Sequence, residues 1–267
     1  MKKKNIPIEF VYQLFALIII VIIVQAYYMS VVRPNAVEAL AEQNRQMEQN
    51  PNYVPERSVW VLIKDYEQES CFILMFWAFA IIGYKAVDLS RERRLLEHDL
   101  IPIAEGMRIL PEDTREFARQ IQALPEEERQ LLLPRVLMSA LRRFESTQSI
   151  QDVSNIAHTV CESEADRLES ELSMIRYIAW AIPAIGFIGT VRGIGDALAQ
   201  ANQVTVQGDL SGITESLGLA FNSTLIALLI SIVLMFLIHQ LQSIQERLVF
   251  DSEAYADEKL IRHMKAD

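Results

Sequence analysis

Apolar residues in this chain gather in four blocks, Phe10–Val32, Cys71–Val87, Tyr177–Ala197 and Leu217–Ile238, separated by polar sequence. A helix crosses the hydrocarbon of a bilayer in about 20 residues, and each block comes near that length, Cys71–Val87 being the shortest. A hydrophobic content of 51% would also suit a large soluble core, so the clustering decides. It predicts an all-α membrane protein with four transmembrane helices and a helical domain between the second and the third. Positive charge sets the direction. Lys2, Lys3 and Lys4 precede the first block and Arg91, Arg93 and Arg94 follow the second, whereas Leu198–Glu215 holds neither Lys nor Arg. Cationic flanks stay on the cytoplasmic side, so both termini are expected there. The expected order is residues 1–9 cytoplasmic, 10–32 first span, 33–70 outer segment, 71–87 second span and 88–176 cytoplasmic domain. It continues with 177–197 third span, 198–215 outer loop, 216–238 fourth span and 239–267 a cytoplasmic C-terminal helix. Val24-Gln25-Ala26 would suit removal of a leader, but the apolar run continues to Val32, longer than a leader's apolar core. A retained anchor is expected, with a cleaved leader as the alternative.

Helix signals fill the polar segments. Asn35–Gln49 reads as a short polar helix after Pro34, ended by Pro51 and Pro55. Leu110-Pro111-Glu112-Asp113 and Leu124-Pro125-Glu126-Glu127 look like helix starts, with proline in the first turn and acids at the positive end of the dipole. Leu133, Leu137, Leu141 and Phe144 line one helical face. Val153, Ala157, Val160, Leu168, Leu172 and Ile175 form a looser stripe that leads into the third span. With no proline or glycine between Asp152 and Ile182, that helix is expected to run on into the membrane. Beyond the fourth span, Leu241, Ile244 and Leu248 continue the pattern as a partner helix.

Within the last two apolar blocks the small residues are periodic. Pro183, Gly186, Thr190, Gly193 and Ala197 recur every three or four positions, which puts them on one helical face, with Gly189 beside them. Ala220, Thr224, Ala227 and Ser231 make the matching seam. In lipid such seams allow close approach of helix backbones, because packing drives association there. Each seam holds one threonine, and the two share a depth. Entering near Tyr177, Thr190 lies about 20 Å in; entering from the other side near Ser216, Thr224 lies about 12 Å in. In a core of roughly 30 Å these levels agree within a helical turn.

The same residues resemble a known family. GFIGTVRGI is similar to the penultimate membrane helix of the MotA/TolQ/ExbB proton-channel family, and Ala220-Phe221 with Thr224, Ala227 and Leu228 resembles its last helix. Phe221, Ala227 and Arg192 depart from the usual residues. The resemblance implies a channel-ring subunit, most simply a homopentamer, of an ion-driven motor in the bacterial inner membrane. It implies a MotB/TolR/ExbD-like single-span partner, in two copies, whose membrane aspartate carries the proton. Thr190, Thr224, Ser223 and Asn222 would then line the ion pathway, and Pro183, Gly186, Gly189, Gly193, Ala220 and Ala227 would pack the helices. The four spans resemble the flagellar stator subunit, while the helix motif is closer to the TolQ/ExbB type.

Other chemistry finds little footing. A net charge of −10 without a basic stripe argues against nucleic acid as a partner, and membrane lipid is the expected surroundings. His98, His158, His239 and His263 are scattered outside any metal or nucleophile motif, so no cofactor, metal or enzymatic activity is expected. Cys71 and Cys161 are expected as free thiols. Glu162, Glu164, Asp166, Glu169 and Glu171 read as a solvated helix face. Arg192 is the one formal charge well inside a span; Asp196 at i+4 would pair with it near the outer surface. Acids between Ile178 and Ile238 are Asp196, Asp209 and Glu215, all at outer positions, so a titrating group must come from elsewhere. A non-conducting scaffold and a self-contained transporter are the alternative functions.

Overall fold

The computed structural model describes residues 8–50, 58–98, 100–101, 108–207 and 210–265. Most of the expected N-terminal tail, residues 1–9, lies outside them. The elements in order are α1 Ile8–Tyr27, α2 Arg33–Gln49, α3 Val59–Ile63, α4 Tyr66–Leu96 and α5 Thr114–Gln122. They are followed by α6 Glu126–Arg129, α7 Leu132–Thr147, α8 Ile150–Glu171, α9 Ser173–Gln207 and α10 Ser211–Tyr255. The described residues form no strand, only an isolated bridge between Ile109 and Met264. Four helical stretches are long and apolar enough to cross a membrane: Glu9–Met47, Tyr66–Leu96, Ile150–Ala201 and Gly212–His263. The fold is all-α with four such helices, as the sequence pattern predicts.

The chain divides into two compact units, Met1–Ile82 with Met174–Ile238, and Gly83–Ser173 with His239–Asp267. In the first, large apolar side chains point outward: Phe15 and Ile22 of α1, Trp180 and Phe187 of α9, Phe221, Ile232 and Phe236 of α10. Helices that satisfy their own backbone can present such faces to hydrocarbon, which is the solvent they suit. Inside the unit, Val24, Tyr28 and Val32 pack against Trp60, Ile63 and Phe72. Trp77 Nε1 ties α4 to α1 by donating to the Gln13 carbonyl at 2.9 Å. The expected helix after Pro34 starts earlier and is continuous with the first span. Proline has no N–H to give the carbonyl four residues back, and the helix passes through a π-helical turn at Tyr28–Val32, where the Arg33 N–H reaches the Tyr28 carbonyl. The expected loop 198–215 is also largely helical, to Gln207 and again from Ser211. Ala199, Gln200 and Ala201 are good helix formers, so the helix outlasts the apolar run.

The second unit has a conventional core. Leu133, Leu137, Leu141 and Phe144 of α7 are all buried, together with Val153, Ala157 and Cys161 of α8 and Phe117 and Ile121 of α5. Pro111 does sit ahead of a helix, whose start is α5 at Thr114; the Leu110 N–H is held by Asp113 Oδ2 at 3.0 Å. The C-terminal segment is fastened by Ile109 N–H to the His263 carbonyl at 2.8 Å and Lys265 N–H to the Ile109 carbonyl at 3.0 Å.

One expectation holds here with a local adjustment, and two change. The helix expected to run on from Asp152 into the third span does so within the stretch Ile150–Ala201, through one tightened turn at Leu172, whose N–H bonds back to Glu169 and Ser170. On α10 the buried positions after Leu241 are Gln245, Leu248 and Ser252, while Ile244 is exposed. Glu164, expected on a solvated face, is buried between Arg135 at 2.7 Å and Arg167 at 3.3 Å. Two guanidiniums compensate the desolvation that one carboxylate would otherwise suffer. Glu171, from the same run, holds Lys85 at 2.9 Å.

His158 Nδ1 lies 2.9 Å from Glu253 on α10. That hydrogen bond, and the carboxylate's charge, raise His158 above the ordinary imidazole range. The protonated ring is therefore favoured in the folded state, so the pair contributes fully below the ordinary histidine pKa of about 6.5. Its contribution fades as pH rises through the raised value. Histidine-edited NMR should show a titration midpoint above that of a free imidazole, and Glu253→Gln should bring it down; an unchanged midpoint would refute the pairing.

Candidate functional site

The two small-residue seams meet each other inside one chain. A Cβ built on Gly186 would lie 2.5 Å from the Ala227 Cβ; on Gly189, 2.6 Å from the Ser223 Cβ; on Gly193, 2.8 Å from the Ala220 Cβ. None of these gaps would admit a methyl group. Glycine lets the α9 backbone come against the side chains of α10 at three successive rungs, about one helical turn apart. Gly195 and Gly218 have nothing within 4 Å of such a Cβ, so tightness belongs to the seam and not to glycine in general.

Pro183 has a specific place in this contact. Lacking an N–H, it leaves the Ala179 carbonyl without its usual partner. Ser231 Oγ, from the α10 seam, donates to that carbonyl at 3.2 Å. The sequence set Pro183 and Ser231 in facing seams; the structure shows that one repairs the other.

Thr190 and Thr224, expected at one depth, lie against each other. Their hydroxyl oxygens are in direct contact. Thr224 Oγ1 donates to the Gly186 carbonyl at 3.0 Å. Thr190 Oγ1 lies 3.2 Å from both the Gly186 and Ala220 carbonyls. Two hydroxyl protons thus face two backbone carbonyls and each other. Both threonines are half-buried, so the pair can be reached from one side. Ser223 is buried on the adjoining rung and gives its proton to the Leu219 carbonyl at 3.0 Å. Asn222 is half-buried and takes no part in the threonine contacts.

The expected charge pair is different. Arg192 Nη1 binds Glu67 Oε1 at 3.0 Å instead of Asp196, which is exposed. Glu67 comes from the first turn of α4 and its side chain is only 10% exposed. A cation gains more beside a carboxylate that water cannot reach than beside an exposed one four residues on.

Sequence reasoning missed this part of the site. Glu67, Gln68 and Glu69, in the segment read as lying outside the membrane spans, are all buried. Gln68 Nε2 reaches Ser223 Oγ at 3.4 Å, and Glu69 holds Arg33 at 2.5 Å. A signal was available: Glu67 continues, one turn earlier, the helical stripe of Cys71 and Ala78, both fully buried. The apolar run begins at Cys71, whereas the helix begins at Tyr66.

Two measurements probe the seam. Gly186→Ala should destabilise the protein by about 1–3 kcal/mol, the usual cost of overpacking, whereas Gly195→Ala should leave thermal stability unchanged or slightly higher. Equal effects of the two would mean that the close approach does not exist. Ser231→Ala strands the Ala179 carbonyl and should cost roughly 1–3 kcal/mol in the same thermal assay, with no loss in a variant that also restores the donor by Pro183→Ala.

No curated protein matches the chain. The family comparison does find a match, and it covers the two helices that build the seam and the two before them. Residues 128–254 of this membrane protein match the MotA/TolQ/ExbB proton channel family, and the threonine pair lies inside the matched stretch.

Proposed function

We propose that the chain is the channel-ring subunit of an ion-driven motor in the bacterial inner membrane, with both termini cytoplasmic. The observation that carries this reading is the contact between the Thr190 and Thr224 hydroxyls, set in a seam between two membrane-length helices. Members of the family work in oligomers with a single-span MotB/TolR/ExbD-like partner. In this reading five copies surround two partner helices, and the partner's membrane aspartate carries the proton past the threonines.

The hydroxyl pair suits one protonation state of that acid better than the other. Both protons are already directed at backbone carbonyls or at each other, whereas each hydroxyl oxygen carries two lone pairs. A protonated carboxyl can donate to such a lone pair with no rearrangement. A carboxylate needs a donor, and a threonine must swing its proton away from Gly186 or Ala220 to supply one. The pair therefore receives the acid as it stands and must reorganise for its anion. That difference is what a stepping mechanism requires, since a partner held equally in both states would not be driven to move.

The seam does not by itself build the ring, because its close neighbours lie within the chain. Contacts between copies fall to other faces of the membrane-length helices, where large apolar side chains are exposed. The alternative of a non-conducting scaffold draws on the same carbonyl bonds: a threonine hydroxyl satisfied by the backbone can be purely structural.

Thr190→Val and Thr224→Val separate the two. Valine keeps the branched shape and removes the hydroxyl. Losing a hydrogen bond to a charged group costs about 1.5–3 kcal/mol, equivalent to roughly ten- to hundred-fold in rate. Variants that still assemble should lose most proton flux in membrane vesicles from the host, read with a pH-sensitive dye. Wild-type flux in both single variants would leave the hydroxyls structural and remove the proposed pathway.

A further inference from the structure

The rung next to the threonine pair holds acceptors without donors. Glu67 Oε1 takes Arg192, while Oε2 is buried and meets no hydrogen-bond partner among the described residues. Gln68 is fully buried; its Nε2 faces the Leu62 carbonyl at 3.2 Å and Ser223 Oγ at 3.4 Å, and its Oε1 is buried without a partner. Ser223 spends its one proton on Leu219 and receives Gln68 on one lone pair, which leaves the other open. Gly189 makes room for this group. A Cβ there would lie 2.8 Å from Ser223 Oγ and 3.2 Å from Glu67 Cγ, so α9 is hollowed where α4 brings a carboxyl beside an α10 hydroxyl. Gly189 and Ser223 immediately precede Thr190 and Thr224, which places the carboxyl one position from the threonine pair on both helices.

Buried acceptors that lack donors are costly, and a proton on Glu67 supplies the missing donor. We propose that Glu67 binds and releases a proton at Oε2, so that the chain contributes a carboxyl of its own beside the threonine seam. The proposal rests on the channel reading. Protonation forms one O–H bond, with the proton taken from water or from a partner acid, and converts the carboxylate to an acid that carries a donor of its own. Arg192 then loses its counter-charge; its side chain is 46% exposed and can turn to solvent or headgroups. Release returns the proton and re-forms the pair.

The neighbouring acids share part of this arrangement, since Asp65 Oδ2 and Glu69 Oε1 are also buried without a hydrogen-bond partner among the described residues. Arg192 faces it from α9; Asp65, Glu69 and Cys71 lie on its own segment. Glu69 is committed to Arg33, which also stacks on Tyr66 at 4.5 Å. Lys64 lies 4.0 Å from Glu215. What sets Glu67 apart is that it borders Gly189 and Ser223, beside the threonine pair.

Dicyclohexylcarbodiimide, an apolar reagent that condenses with protonated carboxyls, tests this on the full-length chain in lipid vesicles, with adducts located by mass spectrometry. Glu67 should be modified, less as the bath is made more alkaline, and the adduct should be absent after Glu67→Gln. An unmodified Glu67 overturns the proposal. A structural ion pair is distinguished by Arg192→Gln, Glu67→Gln and the double variant in host vesicles. If Glu67 only pairs with Arg192, the arginine variant is impaired and the double variant recovers. If Glu67 carries a proton, the double variant assembles but stays inactive; its recovery overturns the proposal. Labelling requires no partner and no flux, so loss of the channel reading shows in the threonine variants and loss of this inference shows at Glu67.

Discussion

The distance between the α9 and α10 backbones governs the polar contacts along the seam. Gly186, Gly189 and Gly193 meet Ala227, Ser223 and Ala220 so closely that no Cβ fits. At that separation a hydroxyl on one helix reaches the backbone carbonyls of the other, as Thr224 reaches Gly186 and Ser231 reaches Ala179. Were the helices as far apart as leucine side chains would hold them, the same hydroxyls would turn back on their own helices. Close approach also turns Pro183 from a defect into a fixed point, since the carbonyl it frees is satisfied across the interface. Hydrophobic burial cannot supply this cohesion, because lipid chains are as apolar as the helix faces.

The seam was legible in the sequence because its signal is local. Small residues at helical spacing in two apolar blocks, each with one threonine, leave few ways to pack, and the structure pairs Thr190 with Thr224. The stripe of Leu133, Leu137, Leu141 and Phe144 was legible for the same reason. What failed was reading across elements. Glu164 sits in an acidic run and looks solvated until Arg135 of α7 is placed beside it. Glu67 lies outside the apolar block, and nothing in its neighbours in the chain says that Gly189 leaves space for it. Arg192 was assigned to Asp196 because a helix offers i+4 partners visibly, whereas a partner from another helix is visible only in three dimensions. Helix ends were missed for a simpler reason: hydropathy marks where lipid stops, and Ala- and Gln-rich sequence carries the helix further, as at Gln207.

The two rungs of the site have complementary chemistry. A hydroxyl pair cannot titrate near neutral pH, so Thr190 and Thr224 cannot store a proton; they can only exchange one hydrogen-bond arrangement for another. Reorganising two hydroxyls needs rotation about one bond each, which is fast and moves no charge. A carboxyl such as Glu67 stores a proton but changes charge when it does so, and a change of charge in a poorly solvated place demands compensation. Arg192 is suited to provide it because its guanidinium can pair with Glu67 or reach outward, whereas a fully buried cation could do only the former. A neutral relay beside an ionisable store, separated by one residue on both α9 and α10, lets proton binding and hydrogen-bond switching occur at one level of the membrane without placing an unpaired charge among the threonines. The constraint that produces this arrangement is again the glycine seam: Gly186 brings the hydroxyls together, and Gly189, three residues on, admits the acid.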